Sequence, residues 1–137
     1  MVTTPAHPRL AEIEAVARKV REEYASYYAD EDDTQSLWSL GLCQNVSRDL
    51  KKALDEVGIS SGLRHGMYYG AEDSYADLLA AHRGEPPEEC EKWDGGWTHW
   101  WVTVGDLIID LTADQFHPTE PEDYEVVITT CGDSSYR

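Results

Sequence analysis

The chain has 137 residues, 41% of them hydrophobic and 28% charged, which suits one globular domain with a real core and leaves little room for a second. A formal net charge of -16 would repel a phosphate backbone, so free nucleic acid is excluded as a partner. No run of roughly 18 apolar residues offers a membrane span, and membrane is excluded with it.

The N-terminal stretch "MVTTPAHPRLAEIEAVARK" lacks a basic start followed by an apolar segment, so no secretory signal is read there and a cytoplasmic location is expected. The lysines are confined to Lys19, Lys51, Lys52 and Lys92. An acidic, lysine-poor surface is common in proteins of high-salt cytoplasm, and generic acidic solvation explains it equally well. Cys43, Cys90 and Cys131 show no CxxC spacing, and His7, His65, His82, His99 and His117 show no HxxxH spacing, so neither a metal nor a cofactor is expected.

In chain order, Pro8 precedes Leu10, Ile13, Ala17, Val20, Tyr24, Tyr27 and Tyr28, a spacing that predicts a first helix from about Arg9 to Tyr28. "DEDDT", Asp30 to Thr34, follows as a solvated loop. A second helix is predicted from Cys43 to Val57, with Val46, Leu50, Ala53, Leu54 and Val57 on its apolar stripe and Gly58 as its C-terminal cap. Counting back along that stripe places Cys43 inward, in the first turn. Leu63 to Tyr69 alternates as a strand, and "AEDSYADLLAAHRG" reads as a short third helix stopped by Gly84. "EPPEECEKWDGG" is a loop by its prolines and glycines. Trp97–Val104 and Leu107–Leu111 are predicted strands around Gly105-Asp106, and Tyr124–Thr130 is a further strand. Helices first and strands after them make an α+β domain.

Three residues stand out chemically. A thiol at Cys43 meets unpaired backbone N–H groups and the positive end of the helix dipole, both of which favour thiolate; the alternative is a small buried apolar side chain. If Gly105 and Asp106 form a two-residue turn, Trp101 faces Asp110, and His99 becomes the diagonal neighbour of Asp110 on the same face. Such neighbours lie about 7–8 Å apart at the backbone, within side-chain reach. Asp110 would then fix one imidazole nitrogen and leave the other for the thiol. Asp110 also ends the apolar run "LIID", where an unpartnered carboxylate would be costly; opening a turn is its alternative role. Asp114 and Thr112 are rival partners for His99, ranked behind Asp110.

"GLCQNVSRDLKKAL" followed by "HWWVTVGDLIIDLTADQF" resembles the Cys…His…Asp pattern of papain-like and transglutaminase-like cysteine enzymes, above all small papain-like proteins of bacteria and phages with "HWF…IIDLTADQF"-type hairpins. The resemblance spans roughly residues 41 to 116. It implies a papain-like α+β core in which the nucleophile helix packs on a small antiparallel sheet. It further implies a single domain over residues 1–137: an N-terminal helix and loop (1–40), a catalytic core (41–116) and a C-terminal strand and tail (117–137). The residues carried over are Cys43 as nucleophile, His99 as general base and Asp110 as orienting acid. Papain-like proteases place an oxyanion-stabilising glutamine shortly before the nucleophile. Gln35 stands somewhat farther upstream than that, while Gln44 follows Cys43 directly. The backbone N–H of Cys43 serves as one oxyanion donor, with Gln35 or Trp38 as the second.

Trp38, Trp100 and Trp101 are candidates for a substrate groove, and Trp93 and Trp97 join the cluster around His99; core packing is the competing role for most of these rings. For Gln115 a structural hydrogen bond is the expectation. The function implied is a cysteine-dependent hydrolase acting on an amide or isopeptide bond of a protein or peptide, through a thioester. Transglutaminase-like acyl transfer and a non-catalytic interaction module on the same fold are the alternatives. Oligomeric state is not legible in the sequence.

Overall fold

Ile13, Ala17 and Val20 of helix α1 (Leu10–Tyr28) meet Val46, Leu50 and Leu54 of helix α2 (Cys43–Glu56) in one buried cluster. The computed structural model describes residues 7–28, 42–72, 92–93, 96–117 and 119–137. The predicted third helix lies outside the described residues beyond Glu72. Both described helices follow from their apolar period. At the end of α2, Gly58 takes φ +77°, Gly58 N–H donates to Asp55 O and Ile59 N–H to Leu54 O, which is a Schellman cap. Arg9 donates to the carbonyls of Gly58 and Val57, so the start of α1 holds a cation against the negative end of α2.

The apolar stripe of α1 departs from prediction in its last turns. Tyr27 is exposed, Tyr24 is half-buried and bonded to Asp49, and Arg21 occupies the buried face, while the side chain of Tyr28 lies outside the described residues. Phenols tolerate water through their hydroxyls, so spacing alone overstates how far the stripe is buried.

The strands β1 (Gly62–Tyr68), β2 (Lys92–Trp93), β3 (Gly96–Val104), β4 (Leu107–Asp110) and β5 (Val127–Thr130) form one antiparallel sheet in the order β1-β3-β4-β5, with β2 paired to the start of β3. Gly105 adopts φ +56° and closes the two-residue turn, pairing Val104 with Leu107, Thr103 with Ile108 and Val102 with Ile109. Side chains alternate accordingly. Val102, Val104, Leu107 and Ile109 join the helices' core, while Trp101 and Ile108 pack with Tyr68, Phe116 and Tyr136 in a second cluster. The fold is α+β, as the sequence implies.

The predicted strand from Tyr124 begins later. Pro121–Tyr124 forms a 3-10 turn, because Pro121 sets a helical φ and supplies no ladder N–H; β5 starts at Val127. The last residues return to β1: Met67 N–H donates to Arg137 O at 2.8 Å, Arg137 N–H to Met67 O at 3.0 Å, and Tyr69 N–H to Ser135 O at 2.7 Å. A Cβ on Gly66 would lie 2.5 Å from Trp101 Cη2 and 2.6 Å from Arg137 O, so only glycine lets ring and tail approach here. Among the described residues no helix is long and apolar enough to cross a membrane.

Candidate active site

Cys43 is the first residue of α2 and is 3% exposed. Leu42, at the N-cap, has no side-chain acceptor, so it caps none of the first-turn N–H groups. The buried stripe Cys43, Val46, Ser47, Leu50 and Leu54 turns the thiol inward.

His99 and Asp110 are both fully buried and meet directly, Nε2 to Oδ2, at 2.7 Å. The observed register extends one step to set Trp101 opposite Asp110, which makes His99 its diagonal neighbour as the turn predicts. Asp110 Oδ1 accepts from Thr112 N–H at 3.0 Å and from Thr112 Oγ1 at 3.4 Å, so the carboxylate also holds the turn that leaves β4. Both roles weighed for Asp110 coexist. Tyr136 donates its hydroxyl to Asp110 Oδ2 at 2.8 Å.

Burial pushes the His99 imidazole down, but the charge and hydrogen bond of Asp110, helped by Cys43, outweigh it and raise the ring to about 10. Burial pushes the Asp110 carboxyl up, and the His99 charge and the His99, Thr112 and Tyr136 donors hold it below the ordinary carboxylate value. The pair therefore carries opposite charges at neutral pH. His99 Nδ1 has no partner at ordinary hydrogen-bond geometry among the described residues, whereas the Cys43 side chain is near enough to favour the protonated ring. The His99 ring is walled edge-on by Phe116 at 4.8 Å and Tyr68 at 5.8 Å between centroids.

Asp114 does not reach His99. Its Oδ2 accepts from Arg21 at 2.9 Å in a buried pair, while Arg21 also donates to Leu111 O at 2.6 Å, tying α1 to the turn after β4. Thr112 serves Asp110 rather than replacing it. Gln115 donates from Nε2 to Thr112 O at 2.9 Å, the structural bond expected of it. Trp101 is 1% exposed and is core, not groove: it packs beneath Tyr136 and over Gly66. Trp100 is half-buried and stacks on His65 with ring centroids 4.3 Å apart. Trp97 packs against the second cluster, and Gln44 is half-buried in the first turn of α2. Gln35 and Trp38 lie outside the described residues, as does the side chain of Trp93.

The sequence reading missed Tyr136, whose only signal was an aromatic ring near the end of the chain. It also missed His117, which is buried beside the site, bonded through Nε2 to the Tyr68 hydroxyl at 2.6 Å and stacked on Tyr124. Burial lowers the His117 pKa, with Glu72 opposing the shift. Among the described residues no group of three or more His, Cys, Asp or Glu side chains is placed to hold a metal.

No protein-family model, curated protein or solved structure matches the chain.

Proposed function

We propose that the protein is a cysteine-dependent hydrolase of papain-like type, acting on an amide or isopeptide bond of a protein or peptide. The observation that carries the reading is His99, held at Nε2 by a buried carboxylate while the Cys43 thiol, at a helix N-terminus, acts on the same ring. A lone buried cysteine needs no such arrangement.

With the imidazole protonated at neutral pH, the reactive form is a thiolate–imidazolium pair. Cys43 Sγ attacks the carbonyl carbon and forms a C–S bond, with first-turn N–H groups of α2 facing the developing oxyanion. The C–N bond breaks as the imidazolium gives its proton to the departing amine. Neutral His99 then takes a proton from water, the hydroxide attacks the thioester carbonyl, the C–S bond breaks, and the carboxylic acid leaves with the thiolate–imidazolium pair restored. If an amine replaces water, the same thioester yields acyl transfer.

One observation favours a second reading, an interaction module on the same fold: Cys43 is 3% and His99 0% exposed. Labelling with iodoacetamide near pH 6 separates the two. A site of the proposed kind reacts at Cys43 faster than the same thiol in denatured chain and loses amide-hydrolysing activity with the label. Equal rates in folded and denatured protein would refute the hydrolase.

A further inference from the structure

Tyr136 lies 26 residues beyond Asp110, outside the segment that carries the family resemblance, yet its hydroxyl ends on the same Oδ2 that binds His99. The ring is 6% exposed and sits edge-on to Trp101 and to Tyr68, each at 5.1 Å between centroids. Its backbone is fixed by the pairing of Ser135 and Arg137 with Tyr69 and Met67. Ring and backbone thus leave the hydroxyl one direction, toward the carboxylate.

We propose that Tyr136 is a positioning residue of the active site, keeping the buried Asp110 carboxylate charged and aimed at His99. The inference rests on the catalytic reading of Cys43, His99 and Asp110. A fully buried carboxylate keeps its charge only while donors replace the water it has lost. Among the described residues Asp110 has four: His99 and Tyr136 on Oδ2, and the N–H and hydroxyl of Thr112 on Oδ1. Thr112 is only two residues on in sequence and is held beside Asp110 by the turn that both belong to. Tyr136 arrives from a distant segment, so its donor is present only when the tail is docked on β1. Without it, the cheapest relief for the carboxylate is to take the imidazolium proton, and the thiol then loses its cationic partner.

The test is Tyr136→Phe, which keeps the ring contacts and the strand pairing and deletes only the donor. The pH dependence of iodoacetamide labelling at Cys43 is followed by peptide mass spectrometry, which separates it from Cys90 and Cys131. The apparent pKa of Cys43 should rise by about 0.5–1 unit, the share of one charged hydrogen bond that reaches the thiol through the imidazole. Replacing Tyr136 with difluorotyrosine, a stronger donor of nearly the same shape, should move it the opposite way and covers the case in which the phenylalanine variant does not fold. A reactive Cys43 with the same profile in both variants overturns the positioning role and leaves the hydrolase intact. A wild-type Cys43 no more reactive than in denatured chain overturns the hydrolase and this inference with it.

Discussion

His99 and Asp110 stand eleven positions apart and meet at 2.7 Å because a two-residue turn at Gly105 fixes the register between their strands. A one-residue slip of that register would turn Asp110 to the opposite face of the sheet, toward the helix-packed cluster of Val102 and Val104. The geometry of the pair is therefore set by a turn on the far side of four strand residues, and each partner lies in the core where water cannot substitute for it.

That relationship separates two aspartates. Asp110→Asn presents His99 with an amide in place of a charge, so the imidazolium loses its stabiliser. Turnover should fall about 10–10³-fold, less than for a serine nucleophile because a thiol is more acidic. The apparent pKa of Cys43 labelling should rise with it. Asp114→Asn instead removes the carboxylate that the buried Arg21 guanidinium holds at 2.9 Å, while the Glu125 carboxylate stands farther off at 3.9 Å. It should cost about 3 kcal/mol of stability in denaturant melts and leave the labelling profile of Cys43 in place. The reverse pattern would exchange their roles.

For the proposed hydrolase, the expected pH range of activity follows from the same pair. The raised His99 pKa means that imidazolium persists to about pH 10, so the alkaline limb of the rate profile should fall there. The sign for stability is the same. A folded pKa above the free value of about 6.5 gives a contribution that is complete below that value and lost as pH rises toward 10. Asp110, held below its ordinary value, loses its contribution only in strong acid. Melting temperatures between pH 6.5 and 10 should therefore decline more steeply in wild type than in His99→Gln, and equal slopes would show that His99 does not titrate there.

The parts of the fold legible in the sequence are those governed by neighbours a few residues apart. Helical period gave α1 and α2, glycine at positive φ gave the cap at Gly58 and the turn at Gly105, and alternation put His99 and Asp110 on one face. What could not be read depends on distant contacts. Arg21 appears as an ordinary charged residue until Asp114, 93 positions away, is placed against it. Tyr136 has no local signal because its role comes from the tail pairing with β1. Trp101 reads as a groove aromatic by nearness to His99, and only the pairing of β1 with β3, which sets Gly66 beneath its ring, makes it core.

Gly66 offers a direct check on that packing. Substitution by alanine places a methyl group against the Trp101 ring and the Arg137 carbonyl, one a rigid core side chain and the other backbone. Neither can yield without moving the sheet or the tail, so Gly66→Ala should cost about 1–3 kcal/mol. Because Tyr136 rides on that tail, the labelling pKa of Cys43 should rise as well. Stability lost with no change in the labelling profile would show that the tail and the site are independent.

Ionic strength tests the surface rather than the site. With a net charge of -16 on 137 residues, like charges crowd the folded state and separate on unfolding, so screening should favour folding. The Debye length shrinks from about 10 Å at 0.1 M to about 3 Å at 1 M, short enough to quiet repulsion between neighbouring surface carboxylates. The ion pairs on exposed helix faces, Arg18 with Glu14 and Lys51 with Asp55, weaken under the same conditions, but such pairs contribute little. The Arg21–Asp114 and His99–Asp110 pairs are buried beyond the reach of mobile ions. The balance is a melting temperature that rises from low salt to molar potassium chloride, with the Cys43 labelling rate changing far less. A melting temperature that falls over that range would mean that attractive surface pairs outweigh the repulsion.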